Sequence, residues 1–247
     1  MKNNRALFLH NLSVLVEDKQ VVTSLSLSIE PGSVHALMGP NGSGKSSLAY
    51  TLVGHPSYQI IEGSVSMQEK DLLAMAPYER ARNGLFLAFQ TPCALPGVSV
   101  ASFLKEAYDA CSTISLSAVE FNALLLEKSS QLHIDPLWLS RGMHEGFSGG
   151  EKKKLEMLQL LVLQPSVVIL DEIDSGLDRD ALEVIVQGIT SARHTNPLIS
   201  IIVITHYPRI LQHIIPDKVH IMRNGKLIES GDMSLVDRIE SQGYEAF

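Results

Sequence analysis

Between an apolar run at Val34–Met38 and a stretch of helical character at Lys45–Val53 stands Gly39-Pro-Asn-Gly-Ser-Gly-Lys45-Ser46. Few features restrict a fold more: G-x-x-x-x-G-K-[ST] between a strand and a helix is a phosphate cradle. The glycines let successive backbone N–H groups turn inward, and the helix N-terminus adds the positive end of its dipole. Lys45 then reaches the β- and γ-phosphates, and the Ser46 hydroxyl ligates magnesium. Gly39, Pro40, Asn41, Gly42, Ser43, Gly44, Lys45, Ser46 and the adjoining Ser47 are therefore the candidate residues for binding ATP and Mg2+.

A second constellation follows downstream. Val167-Val-Ile-Leu170-Asp171-Glu172 is an apolar strand ending in two carboxylates, which sets the acids at the carboxyl edge of a sheet, where doubly wound folds bind ligands. Asp171 belongs in the magnesium shell, and Glu172 is the candidate general base that polarises the attacking water. An apolar run closed by two acids means little alone; beside the glycine loop it becomes a site.

The rest of the pattern suits one elaborated α/β domain of 247 residues, a P-loop NTPase with a mixed, largely parallel core sheet. Residues 7–16 and 21–29 read as antiparallel strands turning at 17–19, and further strands fall near 64–67 and 85–89. Residues 167–170 and 199–205 are continuous β-branched runs suited to central parallel strands. Helices fall at 149–163, 178–193 and 235–241, with short ones after Pro77 and Pro208 and two more strands at 218–222 and 226–229. From 92 to 146 the pattern turns helical and irregular after a loop containing Pro92, Pro96 and Gly97. The expected organisation is a single domain, 1–247, whose catalytic core is 1–91 and 147–247 and whose inserted helical subdomain is 92–146.

Composition closes off several function classes. The apolar runs are far shorter than the roughly 20 residues that cross a bilayer, and residues 1–5 lack an apolar segment behind their charges, so neither a membrane span nor a secretory signal is expected. A formal charge of -7 disfavours nucleic acid. Cys93 and Cys111 sit in no metal-binding spacing, which fits a reducing cytoplasm. Two isolated thiols also cannot supply the four thiolates that iron-sulfur clusters usually take, so no cluster is expected on this chain.

Phe147-Ser148-Gly149-Gly150-Glu151 decides among P-loop folds, because with a helix behind it this run resembles the signature of the ATP-binding-cassette family. The resemblance covers nearly the whole chain. It implies that Gln90 is the Q-loop residue, touching magnesium or water. It also implies that Ser175-Gly-Leu-Asp178 is the D-loop and that His206 is the switch histidine on the γ-phosphate. Ser148, Gly149, Gly150 and the following helix N-terminus would form a second anion cradle. If that cradle faces outward as in the family, it closes over the ATP of a second copy, making an ATP-dependent homodimer.

Three departures mark a branch. No aromatic residue stands between 14 and 24, where the family commonly stacks adenine, leaving aliphatic groups such as Val16 or Val21. Glu151 replaces Gln, and Ile173 and Asp174 replace the residues typical of transporters. With Gly54-His-Pro-Ser-Tyr58, Val203-Ile-Thr-His-Tyr207 and the Gln242-Gly-Tyr244-Glu245 ending, these resemble the SufC branch, the cassettes of SUF iron-sulfur cluster assembly. That implies SufB- and SufD-type scaffold partners and no direct membrane insertion. Partner contact is expected from Thr91 into 103–108, because that segment follows Gln90 and can report nucleotide state. The alternatives are the nucleotide-binding subunit of a membrane transporter and, less favoured by the acidity and single cassette, a translation or DNA-repair cassette. A run of three lysines, 152–154, is a solvated helix face or, with Lys152 foremost, a partner for Glu172 or Asp174.

Overall fold

The computed structural model of the chain describes residues 6–206 and 208–247; residues 1–5 and Tyr207, both used in the reading above, lie outside the described residues. In chain order the strands are β1 (Leu7–Val16), β2 (Lys19–Ile29), β3 (Val34–Met38), β4 (Tyr58–Met67), β5 (Lys70–Asp71), β6 (Leu85–Ala88), β7 (Leu95–Ser99), β8 (Gly142–Met143), β9 (Val167–Asp171), β10 (Ser200–Ile204), β11 (Lys218–Arg223) and β12 (Lys226–Gly231). The α-helices are α1 (Lys45–Val53), α2 (Pro77–Arg82), α3 (Val100–Cys111), α4 (Ala118–Gln131), α5 (Gly149–Leu163), α6 (Arg179–Thr195) and α7 (Ser234–Gln242).

A six-stranded sheet in the order β12-β11-β3-β10-β9-β6 forms the centre, parallel except for its edge strand β12. A four-stranded antiparallel sheet, β2-β1-β4-β5, lies beside it. Alternation along each central strand divides the apolar side chains between two cores. Val168, Leu170, Ile201 and Val203 face the larger core under α3 to α7, whereas Val167, Ile169, Ile202 and Ile204 face the one shared by α1 and the antiparallel sheet. Runs that are apolar at every position therefore mark strands covered on both faces.

One expectation fails in the irregular segment. The loop read around Pro96 and Gly97 contains a strand, β7, paired antiparallel with the two-residue β8. Proline is tolerated there because β7 is an edge. A 3-10 turn at Pro208–Gln212 stands where a short helix was expected, and another spans Pro136–Ser140 in the irregular segment.

Beneath the sheet, β3 and β11 bury two histidines side by side. His35 Nδ1 lies 2.9 Å from His220 Nε2, and His220 Nδ1 lies 2.7 Å from Ser230 Oγ. Glu30 Oε2 is 3.4 Å from His35 Nε2. Burial outweighs that acid: it lowers His35, and it pushes His220 down from 6.5 to about 4. The pair is therefore neutral in the fold but protonates in the unfolded chain below about 6.5, so its contribution is complete above that pH and is lost as pH falls toward 4. Urea midpoints should fall through this window, and His220→Leu should flatten that part of the profile; an unchanged slope would remove the pair as the cause.

Candidate functional site

Parallel pairing puts the carboxyl ends of β3, β6, β9 and β10 on one edge, and the polar residues that follow each strand meet there. Ala88 pairs with Leu170, Ile204 with Asp171 and Ile204 with Leu37. The residues just beyond are Gly39, Gln90, Glu172 and His206, brought together by register alone.

The glycine loop closes on itself before any phosphate arrives. Lys45 Nζ donates to Gly39 O at 2.8 Å and Pro40 O at 3.0 Å. Gly44 has φ +105°, and a Cβ there would meet Val21 O at 2.5 Å, so no other residue fits. A Cβ on Gly42 would meet nothing within 4 Å, which leaves the mouth of the cradle open. Val21 thus contacts the loop through its backbone, and Val16 is on the wall of a groove described below. Burial lowers the Lys45 pKa against the opposing pull of Glu172 and Asp171.

Ser46 Oγ donates to Asp171 Oδ1 at 3.0 Å. Asp171 Oδ2 is buried without a hydrogen-bond partner, and burial raises this carboxyl to about 6. A hydroxyl beside an unsatisfied carboxylate oxygen is a hard-oxygen donor set suited to magnesium. Glu172 has φ +45° and donates its backbone N–H to Ile204 O at 2.9 Å. Gln90 Nε2 donates to its Oε2 at 2.5 Å, and His206 Nδ1 lies 3.5 Å from Oε1. The expected Gln90, Glu172 and His206 therefore converge.

Farther along the acidic run, Asp174 and Asp178 find local partners. Asp174 accepts from Thr205 Oγ1 at 3.0 Å, and burial raises its pKa. Ile173 is fully buried. Among the described residues, no hydrogen bond or ion pair joins Lys152 to Glu172 or Asp174, whose partners are Gln90, His206 and Thr205. Lys153 is the lysine that turns inward, donating to Phe89 O at 2.7 Å and Gln90 O at 2.9 Å. Helical phase explains this: positions 153, 156, 157 and 160 share the core face of α5, and all four are buried. That phase is also the signal that could have singled Lys153 out of the run 152–154 and found Glu156, which the sequence reading missed.

The second cradle stands apart on the surface. Ser148 and Gly149 are exposed, and Ser148 opens α5 with a capping box: its Oγ accepts from Glu151 N–H at 3.3 Å, and Glu151 Oε2 accepts from Ser148 N–H at 2.7 Å. Asp178 caps α6 by accepting from Ala181 N–H at 2.8 Å. Between the Q-loop and α3 lies an apolar groove of about 530 Å³, lined by Tyr50, Tyr58, Phe89, Pro92, Leu95 and Phe103. Among the described residues no helix is long and apolar enough to cross a membrane.

Comparison with known proteins agrees with this geometry. The sequence profile of the family described as ABC transporter matches residues 22–175. The chain is 47% identical over 242 residues to the Escherichia coli (strain K12) protein named Probable ATP-dependent transporter SufC, covering 96% of this chain and 97% of that one. It is 44% identical over 241 residues to Vegetative protein 296 of Bacillus subtilis (strain 168), covering 97% and 92%. Among solved structures, an ATP binding subunit of an ABC transporter superposes with a TM-score of 0.79 at 23% identity, over 98% of this chain and 95% of that one, a likeness of fold.

The capping box explains why glutamate can stand where glutamine is usual, since either side chain closes it. Ser148→Ala should cost about 1 kcal/mol in unfolding free energy, while Glu151→Gln should leave the denaturation midpoint nearly unmoved. Equal losses for both variants would mean that the box does not hold α5.

Proposed function

The chain belongs to the ABC transporter family, among SufC-named relatives, and we propose that it is the Mg-ATP-hydrolysing cassette subunit of an iron-sulfur cluster assembly complex. In this reading it pairs head to tail with a second copy through ATP and drives conformational change in SufB- and SufD-type scaffold proteins. One observation carries the hydrolytic part: Glu172, buried at the sheet edge, is held by Gln90 and flanked by His206.

The chemistry follows from these positions. Lys45 and the backbone of residues 39–47 bind the triphosphate. Ser46 and Asp171 would hold magnesium, with Gln90 joining them, and the ion would supply charge that neutralises the phosphates. Glu172 orients the attacking water and accepts its proton. His206 donates to the γ-phosphate as negative charge gathers on it, and ADP and phosphate leave. The exposed Ser148 and Gly149, with Gly150 and Asp178 beside them, cover the nucleotide of the opposite copy.

The domain reading is one cassette, with 92–146 as a helical subdomain inserted between the core segments 1–91 and 147–247. The groove along the Q-loop, with Thr91, Cys93 and Phe103 on its wall, supports partner contact on the segment from Thr91 into 103–108. A cytoplasmic location and the lack of a cluster on this chain belong to the same proposal; an exposed Cys93 and a separate Cys111 are its only thiols. The second reading is the nucleotide-binding subunit of a membrane transporter, the word in the relatives' names. Glu151 and Asp174 favour the first.

Three measurements test this. Lys45→Ala should abolish ATP binding in an equilibrium titration; retained affinity would overturn the cradle. Glu172→Gln should bind ATP normally, lose hydrolysis by at least about 100-fold and accumulate as a dimer by light scattering; wild-type turnover would transfer the role of base to another group. Purification from native extract should bring down scaffold proteins of the SufB and SufD type, whereas recovery of a membrane permease would establish the second reading.

A further inference from the structure

Strand β6 stops pairing with β9 at Ala88, yet Gln90, two residues beyond, must hold its amide steadily against Glu172. Backbone groups past a strand end need other partners when buried, and one turn of α5 supplies them. Glu156 Oε2 accepts from Phe89 N–H at 3.1 Å. Lys153 Nζ donates to Phe89 O at 2.7 Å and Gln90 O at 2.9 Å. Three successive peptide groups are thus fixed by two side chains of opposite charge.

We propose that Lys153 and Glu156 are positioning residues for hydrolysis: together they clamp the backbone at Phe89 and Gln90, and so set where the Gln90 amide meets Glu172. Both are nearly inaccessible, at 5% and 2% exposure, so the cost of burying charge must be met by these bonds. The acid is itself fixed. Its Oε1 accepts from Gln159 Nε2 at 2.9 Å and lies 3.3 Å from His144 Nε2. A glutamate with both oxygens engaged, on the buried face of a 15-residue helix, is a rigid anchor. A lysine one turn before it reaches the same loop from the other side, so the loop cannot pivot about a single bond. Displacing the Gln90 amide by about 1 Å would break its 2.5 Å contact with Glu172.

The proposal rests on Gln90 and Glu172 acting as a catalytic pair, and the test separates the two ideas. Lys153→Met and Glu156→Leu are made in the wild-type and Gln90→Ala backgrounds, with ATPase kinetics measured on the full chain. The clamp predicts that each lowers kcat about tenfold in the wild type, with KM for ATP within about twofold, and changes it less than about twofold when Gln90 is already gone. Lys153→Arg and Glu156→Gln, which keep a donor and an acceptor in place, should restore most of the rate. Equal losses in both backgrounds, losses confined to KM, or no recovery by the conservative variants would overturn the clamp. If Gln90→Ala alone leaves kcat unchanged, the catalytic pair fails instead, and the clamp with it. Should Glu156→Leu not fold, the Lys153→Met and Lys153→Arg comparison decides alone.

Discussion

Charge taken out of water at one sheet edge is the condition on which the structure depends. Lys45, Lys153, Asp171 and Glu172 are all buried, Lys153 reaching from α5 to the loop that follows β6. An isolated buried ion costs several kcal/mol, and removing one partner of a buried set exposes that cost. Each lysine here is met by loop carbonyls rather than by a lone acid, and the carboxylates are met by Ser46, Gln90 and His206. The two apolar cores make this possible. They pack both faces of the sheet so fully that the strand ends have no freedom to spread the charges apart.

How much of this could be read from residue order differs by element. α1 runs between Gly44 and Gly54 and α5 starts behind Ser148, as read from the sequence, because caps are local properties. β7 was hidden because Pro96 and Gly97 are turn residues by composition, and its partner is only two residues long. The meeting of Gln90, Glu172 and His206 was legible only through motif order, since their convergence depends on strand register across some 80 residues of chain. Lys153 was hidden in a run of three like residues, where charge speaks for solvent and only helical phase distinguishes the inward one.

The departures from the family pattern have separate physical explanations. Glu151 closes a capping box as glutamine would. Ile173 fills the larger core, and Asp174 is bonded to Thr205 at the end of β10. The missing aromatic residue near the first hairpin is not replaced in kind: Val21 approaches the glycine loop through its carbonyl, and Val16 faces the groove.

Helix α5 spans about 22 Å at 1.5 Å per residue, with the exposed cradle at its first residue and the Q-loop contacts one and two turns in. In a head-to-tail pair, that first turn would touch the nucleotide of one site while the next turn grips the loop serving the other. Two such helices, related by the twofold axis, would form a closed circuit in which each site is linked mechanically to its opposite. A subunit built this way has no private active site: occupancy, strain and release would be properties of the ring of two.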